Sequence, residues 1–287
     1  MPDKFTATWV SHSSIGDFLK CSRSYYLKNI YKDPNTGNKL QLTSAPLSLG
    51  SAVHEVIEAL SAIPTKDRFK DSLLEKFDNA WKKYSGKIGG FISEAQEEEF
   101  KKEGQKMIRK IIQNPGPLKT LSVKIKEDLP YYWLSDEDNI ILCGKIDWLE
   151  YLPATDGVHV IDFKTSKKEE DENSLQLPIY HLLVKNTQNR KVEKVSYWYL
   201  RLSDKLQEQP LPNLEEAHEK ILAIAKKMKT ARKLNVFKCP EGENGCFACK
   251  PIESVIRGEA EFVGVGGYKR DVYILNSQEV DNSSTIL

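Results

Sequence analysis

The sequence predicts an α/β protein with a central mixed sheet flanked by helices, on three observations. Strand-like stretches follow one another at 119–134, 139–151 and 157–165. Helical patterns lie before, between and after the strand patterns, as in a single α/β domain. Short turns at 136–139 and 153–157 join antiparallel neighbours, so the sheet is mixed.

Residues 1–12 read as a lead-in. Ser13 or Ser14 caps a helix carrying Ile15, Phe18, Leu19, Tyr25, Tyr26 and Leu27, with Cys21 inside it. The run Asp33-Pro34-Asn35-Thr36-Gly37-Asn38, followed by Pro46, predicts a loop over 33–46. A helical pattern resumes over 49–62, with Val53, Ile57 and Leu60 on one side and Gly50 and His54 four apart on another. Amphipathic helices over about 67–84 and 93–113 form a helical insertion, ended by Pro115-Gly116-Pro117. After the strands come a helix over 174–185, a strand over 194–202 and a helix over 214–234. The tail from 237 is irregular, with a late strand at 271–275.

The chain has 287 residues, 40% hydrophobic and 29% charged, which is enough for a substantial core. No apolar run approaches the ~18 residues of a membrane span, and the N-terminus lacks a basic-then-apolar leader, so the expected location is cytoplasmic. The net charge of +1 means that nucleic acid would have to be held by a local basic surface. The helix over 214–234 offers one, with Lys220, Lys226, Lys227, Lys229, Arg232 and Lys233, although a solvated face is the ordinary reading of such a run. Trp198 and Tyr199 are candidate base-stacking aromatics.

The chemistry concentrates between Cys143 and Tyr180. Asp162 and Lys164 are two apart on a predicted strand and therefore share a face, and Gly144-Lys145-Ile146-Asp147 lies in the strand before. Asp147 and Asp162 offer hard oxygen ligands for Mg2+ or Mn2+, with the Phe163 carbonyl as a further ligand. Two acids at one sheet edge repel each other unless a cation lies between them. Lys164 would orient a water or neutralise charge in phosphodiester hydrolysis. Taken alone, Asp162-x-Lys164 reads as an exposed ion pair, His54 as a buried or capping histidine and Tyr180 as a core residue.

In order along the chain, Gly50–His54, Gly144–Asp147, Asp162–Lys164 and Gln176–Tyr180 resemble the PD-(D/E)XK nuclease superfamily, specifically its RecB-like exonuclease branch. The resemblance implies a restriction-endonuclease-like core and one nuclease domain over 1–287. The helical insertion then spans about 66–114 and a metal-cluster tail about 237–287. It implies that His54, Asp147 and Asp162 hold the divalent metal, that Lys164 is the catalytic lysine, and that Gln176 and Tyr180 position the site or the DNA. Glu127 and Asp128 compete for the place of a further acid. The implied activity is metal-dependent DNA cleavage on single strands or ends, in repair or recombination. A non-cleaving DNA-binding module of the same fold is the alternative. So is a subunit working with a separate helicase or a recombination or CRISPR partner, because the chain has no G-x-x-x-x-G-K-[ST] loop.

Five cysteines in a cytosolic chain favour a metal site over disulfides. Cys239, Cys246 and Cys249 form a C-x6-C-x2-C cluster, with Cys21 the leading fourth ligand, and Cys143 reads as a core residue. Several RecB-like nucleases hold a 4Fe–4S cluster with one cysteine before the core and three after it, and this set is similar. Here, however, the lone Cys239 precedes the C-x2-C pair, and zinc bound by four thiolates is the alternative.

Overall fold

The run Val158-His-Val-Ile161 is too apolar and β-branched for a strand with one face in water, and the strand it belongs to is buried as far as Phe163. The rest of the fold is arranged around that strand. The computed structural model describes residues 2–275. In chain order the elements begin with β1 (Thr8–Val10), α1 (His12–Lys20), α2 (Ser22–Asn29), β2 (Lys39–Leu42) and α3 (Ala45–Leu60). There follow α4 (Leu73–Trp81), α5 (Glu94–Gln113), β3 (Tyr131–Ser135), β4 (Ile140–Cys143), β5 (Trp148–Leu152) and β6 (Gly157–Lys164). The chain then forms α6 (Gln176–Thr187), β7 (Val192–Tyr199), β8 (Gln207–Gln209) and α7 (Leu214–Leu234). It ends with α8 (Lys250–Ile256), β9 (Ala260–Gly266) and β10 (Arg270–Leu275). Among the described residues no helix is long and apolar enough to cross a membrane.

The chain divides into two compact units, one of residues 2–12, 49–82 and 100–226, the other of 13–48, 83–99 and 227–275. The first unit holds two mixed sheets, ordered β1-β4-β3 and β5-β6-β7-β8. β5 runs antiparallel to β6, with Leu149 opposite Val160. β6 runs parallel to β7, with Asp162 opposite Tyr197. Parallel neighbours need a crossover, and α6 supplies it. Its Ile179 and Leu183 are buried, as are Val160, Phe163, Val195 and Trp198 on the strands. The Phe163 and Trp198 rings lie 5.6 Å apart.

Several predicted boundaries move. The strand expected over 139–151 is two strands in different sheets, so Gly144-Lys145-Ile146-Asp147 is irregular rather than extended. The Asp147 carboxylate accepts the Phe163 backbone N–H at 3.0 Å, a bond from outside the ladder that favours the break. Over 119–134 only Tyr131–Ser135 is strand. The segment before it is held by buried Arg68, which donates to the carbonyls of Leu118 and Thr120 and to Ser122 Oγ. The first insertion helix starts at Leu73, where Ser72 caps it by accepting the Glu75 N–H.

The second unit carries a mixed sheet ordered β2-β10-β9. β10 matches the predicted late strand, while β2 lies within the predicted loop over 33–46. Pro46 falls in the first turn of α3, where its missing N–H costs nothing. Cys21 is not inside a helix. It separates α1 from α2 as an extended N-cap, its Sγ accepting the Ser24 N–H at 3.4 Å.

Candidate active site and cysteine cluster

Alternation along β6 places Asp162 and Lys164 on one face, at the end of the strand where α6 begins after a loop. The Lys164 Nζ lies 3.1 Å from Asp162 Oδ2 and 3.3 Å from Glu170 Oε1, and it donates to Gln176 Oε1. Gln176, the first residue of α6, turns its amide Nε2 to Asp162 Oδ1 at 2.7 Å and to the Tyr180 hydroxyl at 3.2 Å. One glutamine thus fixes both the acid and the lysine, and the tyrosine one turn on steadies the glutamine. Asp162 is 2% exposed, and its Oδ2 has no hydrogen bond despite the nearby ammonium. Burial and then the Asp147 charge push its carboxyl up to about 7. Burial pulls the Lys164 ammonium down, but Asp162 and Glu170 outweigh it and leave its pKa raised.

Helix α3 brings the histidine. A Cβ at Gly50 would lie 3.2 Å from Thr165 Oγ1, so glycine lets the helix pass close to the end of β6. One turn later, His54 Nδ1 is 3.5 Å from Asp147 Oδ2. Burial lowers the imidazole pKa, while Asp147, Asp162 and Glu58 together raise it further, for a net upward shift. His54, Glu58 and Asp147 each present a ligand atom within 4.8 Å of the others. Sequence reading missed Glu58. The signal was there in the i,i+4 spacing from His54, which puts both on one helix face. Imidazole with hard carboxylate oxygens, beside a buried carboxylate oxygen that lacks a hydrogen bond, fits a divalent ion such as Mg2+ or Mn2+. A cleft of about 360 Å³ adjoins this group, lined among others by Glu58, Lys124, Glu127, Asp128, Lys145 and Asp147. Both competing acids, Glu127 and Asp128, therefore face it.

In the second unit, Cys21, Cys239, Cys246 and Cys249 are buried, with all four sulfurs within 4.8 Å of one another. Ser22 Oγ donates to the Lys238 carbonyl and Ser24 Oγ to the Ala248 carbonyl, so the start of α2 is bound to both ends of the cysteine loop. Burial raises the Cys249 thiol to about 12, whereas at Cys246 the N–H groups of Ala248 and Cys249 overcome burial and bring it to about 7. Cys143 stands apart in the first unit, its Sγ 3.5 Å from the Val10 carbonyl and its pKa pushed by burial to about 11. It is the core residue its position suggested.

One further expectation changes, and one arrangement that looks catalytic is not. Trp198 and Tyr199 are buried, which removes them as base-stacking surfaces. Glu150, His159 and Ser196 form a hydrogen-bonded line, 3.0 and 2.7 Å, that mimics a nucleophile–base–acid series. Ser196 is 0% exposed, so no substrate reaches it.

A sheet that delivers an acid and a lysine to one face, beside a histidine-bearing helix and a second acid, defines a restriction-endonuclease-like fold. The chain belongs to the PD-(D/E)XK nuclease superfamily, whose family model matches residues 9–252. That span includes every residue of the site and all four clustered cysteines. Among solved structures the chain is similar to a candidate exonuclease from Eubacterium rectale, with a TM-score of 0.53 and 13% identity over 85% of this chain and 88% of that one. At that identity the likeness speaks for the fold. A comparison with curated proteins gave no match.

Proposed function

We propose that the protein is a divalent-metal-dependent DNA nuclease of the RecB-like exonuclease type, acting on single strands or ends in repair or recombination. The observation that carries this reading is the half-buried Lys164 ammonium, held 3.1 Å from buried Asp162 and tied to it through Gln176. When bound, a divalent ion lowers the pKa of its water and offsets charge on the phosphorane. His54, Asp147 and Asp162 would hold it, with the Phe163 carbonyl, and Glu58 joins that set. The raised pKa keeps Lys164 protonated, so it serves as a fixed positive charge toward the reacting phosphate. Gln176 holds Asp162 and Lys164 in register, and Tyr180 holds Gln176. The four cysteines bind a thiolate-liganded centre, iron–sulfur or zinc, that fixes the α1–α2 turn to the C-terminal loop. Unwinding of a duplex would fall to a separate helicase.

Purified protein with Mg2+ or Mn2+ should degrade linear DNA, and a circular substrate distinguishes end-dependent from internal cleavage. Asp162→Ala and Lys164→Ala should each abolish cleavage. Undiminished cutting by both variants sinks the proposal.

A further inference from the structure

Ligand chemistry alone leaves the cysteine cluster two occupants, but the spacing of its sulfurs separates them. Cys246 and Cys249 Sγ are 3.8 Å apart, Cys249 and Cys239 Sγ are also 3.8 Å apart, and the Cys21 Sγ lies within 4.8 Å of all three. A Zn–S bond of about 2.3 Å places tetrahedral thiolates about 3.8 Å from each other. In a 4Fe–4S cubane each thiolate binds its own iron at a separate corner, so the cube itself stands between the sulfurs. A set confined within 4.8 Å leaves room for one ion and none for that cube. The sulfurs are also too far apart for a disulfide, whose S–S bond is about 2.05 Å, and all four cysteines are free.

We propose that Cys21, Cys239, Cys246 and Cys249 bind a single tetrahedral zinc-class ion in place of the iron–sulfur cluster that the family resemblance implies. The loop is built for it. Gly245 has φ +75°, and a Cβ there would come 3.2 Å from Cys249 Sγ and 2.8 Å from Glu253 Oε2, so only glycine lets the backbone close over the sulfur. Backbone N–H groups reach two sulfurs, Ser24 to Cys21 at 3.4 Å and Cys246 to Cys249 at 3.2 Å, and so offset part of the burial that raises both thiols. Four thiolates outweigh the charge of one divalent ion. Arg23 brings a compensating cation, anchored to the carbonyls of Gly242 and Glu243 and to Glu253. All four ligands come from the protein and are buried, so the site is closed and structural, with no position open to a substrate. This reading does not depend on the nuclease activity.

The test is metal and acid-labile sulfide analysis of the full chain, purified once in air and once anaerobically. The expected result is a colourless protein with about one zinc per chain and neither iron nor sulfide under either condition. Exchange with Co2+ should give the intense visible absorption of tetrahedral cobalt thiolate. Iron together with sulfide in a brown anaerobic sample overturns the proposal, as does a chain that binds no metal. Two variants locate the ion: His54→Ala and Cys143→Ser should keep their zinc, and loss of zinc from either overturns the assignment. Cys249→Ser should lose its zinc, and zinc retained by the folded variant overturns the proposal; where that variant fails to fold, a mercurial thiol reagent on the wild-type chain replaces it. Zinc should leave as the thiols are blocked, and zinc retained after complete blocking counts against the site. Asp162→Ala tests cleavage separately, so either proposal can fail alone.

Discussion

Asp162 and Cys249 are both buried metal-ligand candidates, yet their surroundings differ in kind. Around Asp162 the protein supplies its own compensation: the Lys164 ammonium, the Gln176 amide and a sequence of hydrogen bonds ending at Tyr180. Around Cys249 the polar groups are the Cys246 N–H at 3.2 Å and neighbouring thiols at 3.8 Å, and Arg23 touches the loop rather than the sulfurs. The first centre keeps its shape through side chains carried on a strand and a helix. The second is formed by a helix N-cap and a glycine-bearing loop joined by hydrogen bonds from Ser22 and Ser24, and on the proposal above an ion completes the link. A site that must exchange substrate and metal benefits from a scaffold that stands without either. A staple has no such need.

The largest expected effect lies in the staple. Cys249→Ser should lower unfolding stability by about 3 kcal/mol or more, because ion binding and folding of such a loop are one process. Denaturant titration measures it, and prolonged treatment of the wild type with a strong chelator should reproduce it. At the acid–lysine site the same chelator should stop cleavage with little added change in stability, and an equal loss at both centres would break the contrast.

Next comes Asp162→Asn, which keeps the shape and removes the charge. Cleavage should fall by about 10²–10³-fold or more, while the melting temperature in metal-free buffer does not fall. Lys164 keeps Glu170 and Gln176, and the repulsion between Asp162 and Asp147 is gone. Gln176→Leu should cost roughly 1–3 kcal/mol, the penalty for a buried carboxylate that loses its hydrogen bond, together with much of the cleavage rate. Stability and rate falling together distinguish this positioning residue from Asp162.

The smallest effect is outside both centres. Glu150 bonds to His159, and that bond, with help from Thr120, holds its carboxyl below the usual value of 4.5. Its folded pKa is depressed, so its contribution to stability is present above that value and lost as pH falls through the folded pKa. Glu150→Gln should lower stability at neutral pH by about 1 kcal/mol or less and flatten the acid limb of the stability–pH curve, so that variant and wild type meet below the folded pKa.

Helix α7 forms over the predicted 214–234, since its apolar residues recur at helical spacing without a proline or glycine to interrupt them. The hairpin turns at 136–139 and 153–157 were equally legible, because their residues leave few alternatives to a turn. The break at 144–147 was not, because its cause is a hydrogen bond from Phe163, sixteen residues away. β2 was hidden for the same reason: its partner is β10, on the other side of most of the chain.

The sequence by itself determined the donor inventory: which acids, lysine, histidine and cysteines exist, and in what order. Side-chain type and local spacing are properties of the chain. Tertiary structure decided how these groups are used. It added Glu58 to His54 and Asp147, buried Trp198 and Tyr199, and gave Gln176 the task of joining Asp162 to Lys164. It also drew Cys21 to within 4.8 Å of cysteines more than two hundred residues along the chain. Distances of that kind come from packing between segments, which no local pattern encodes.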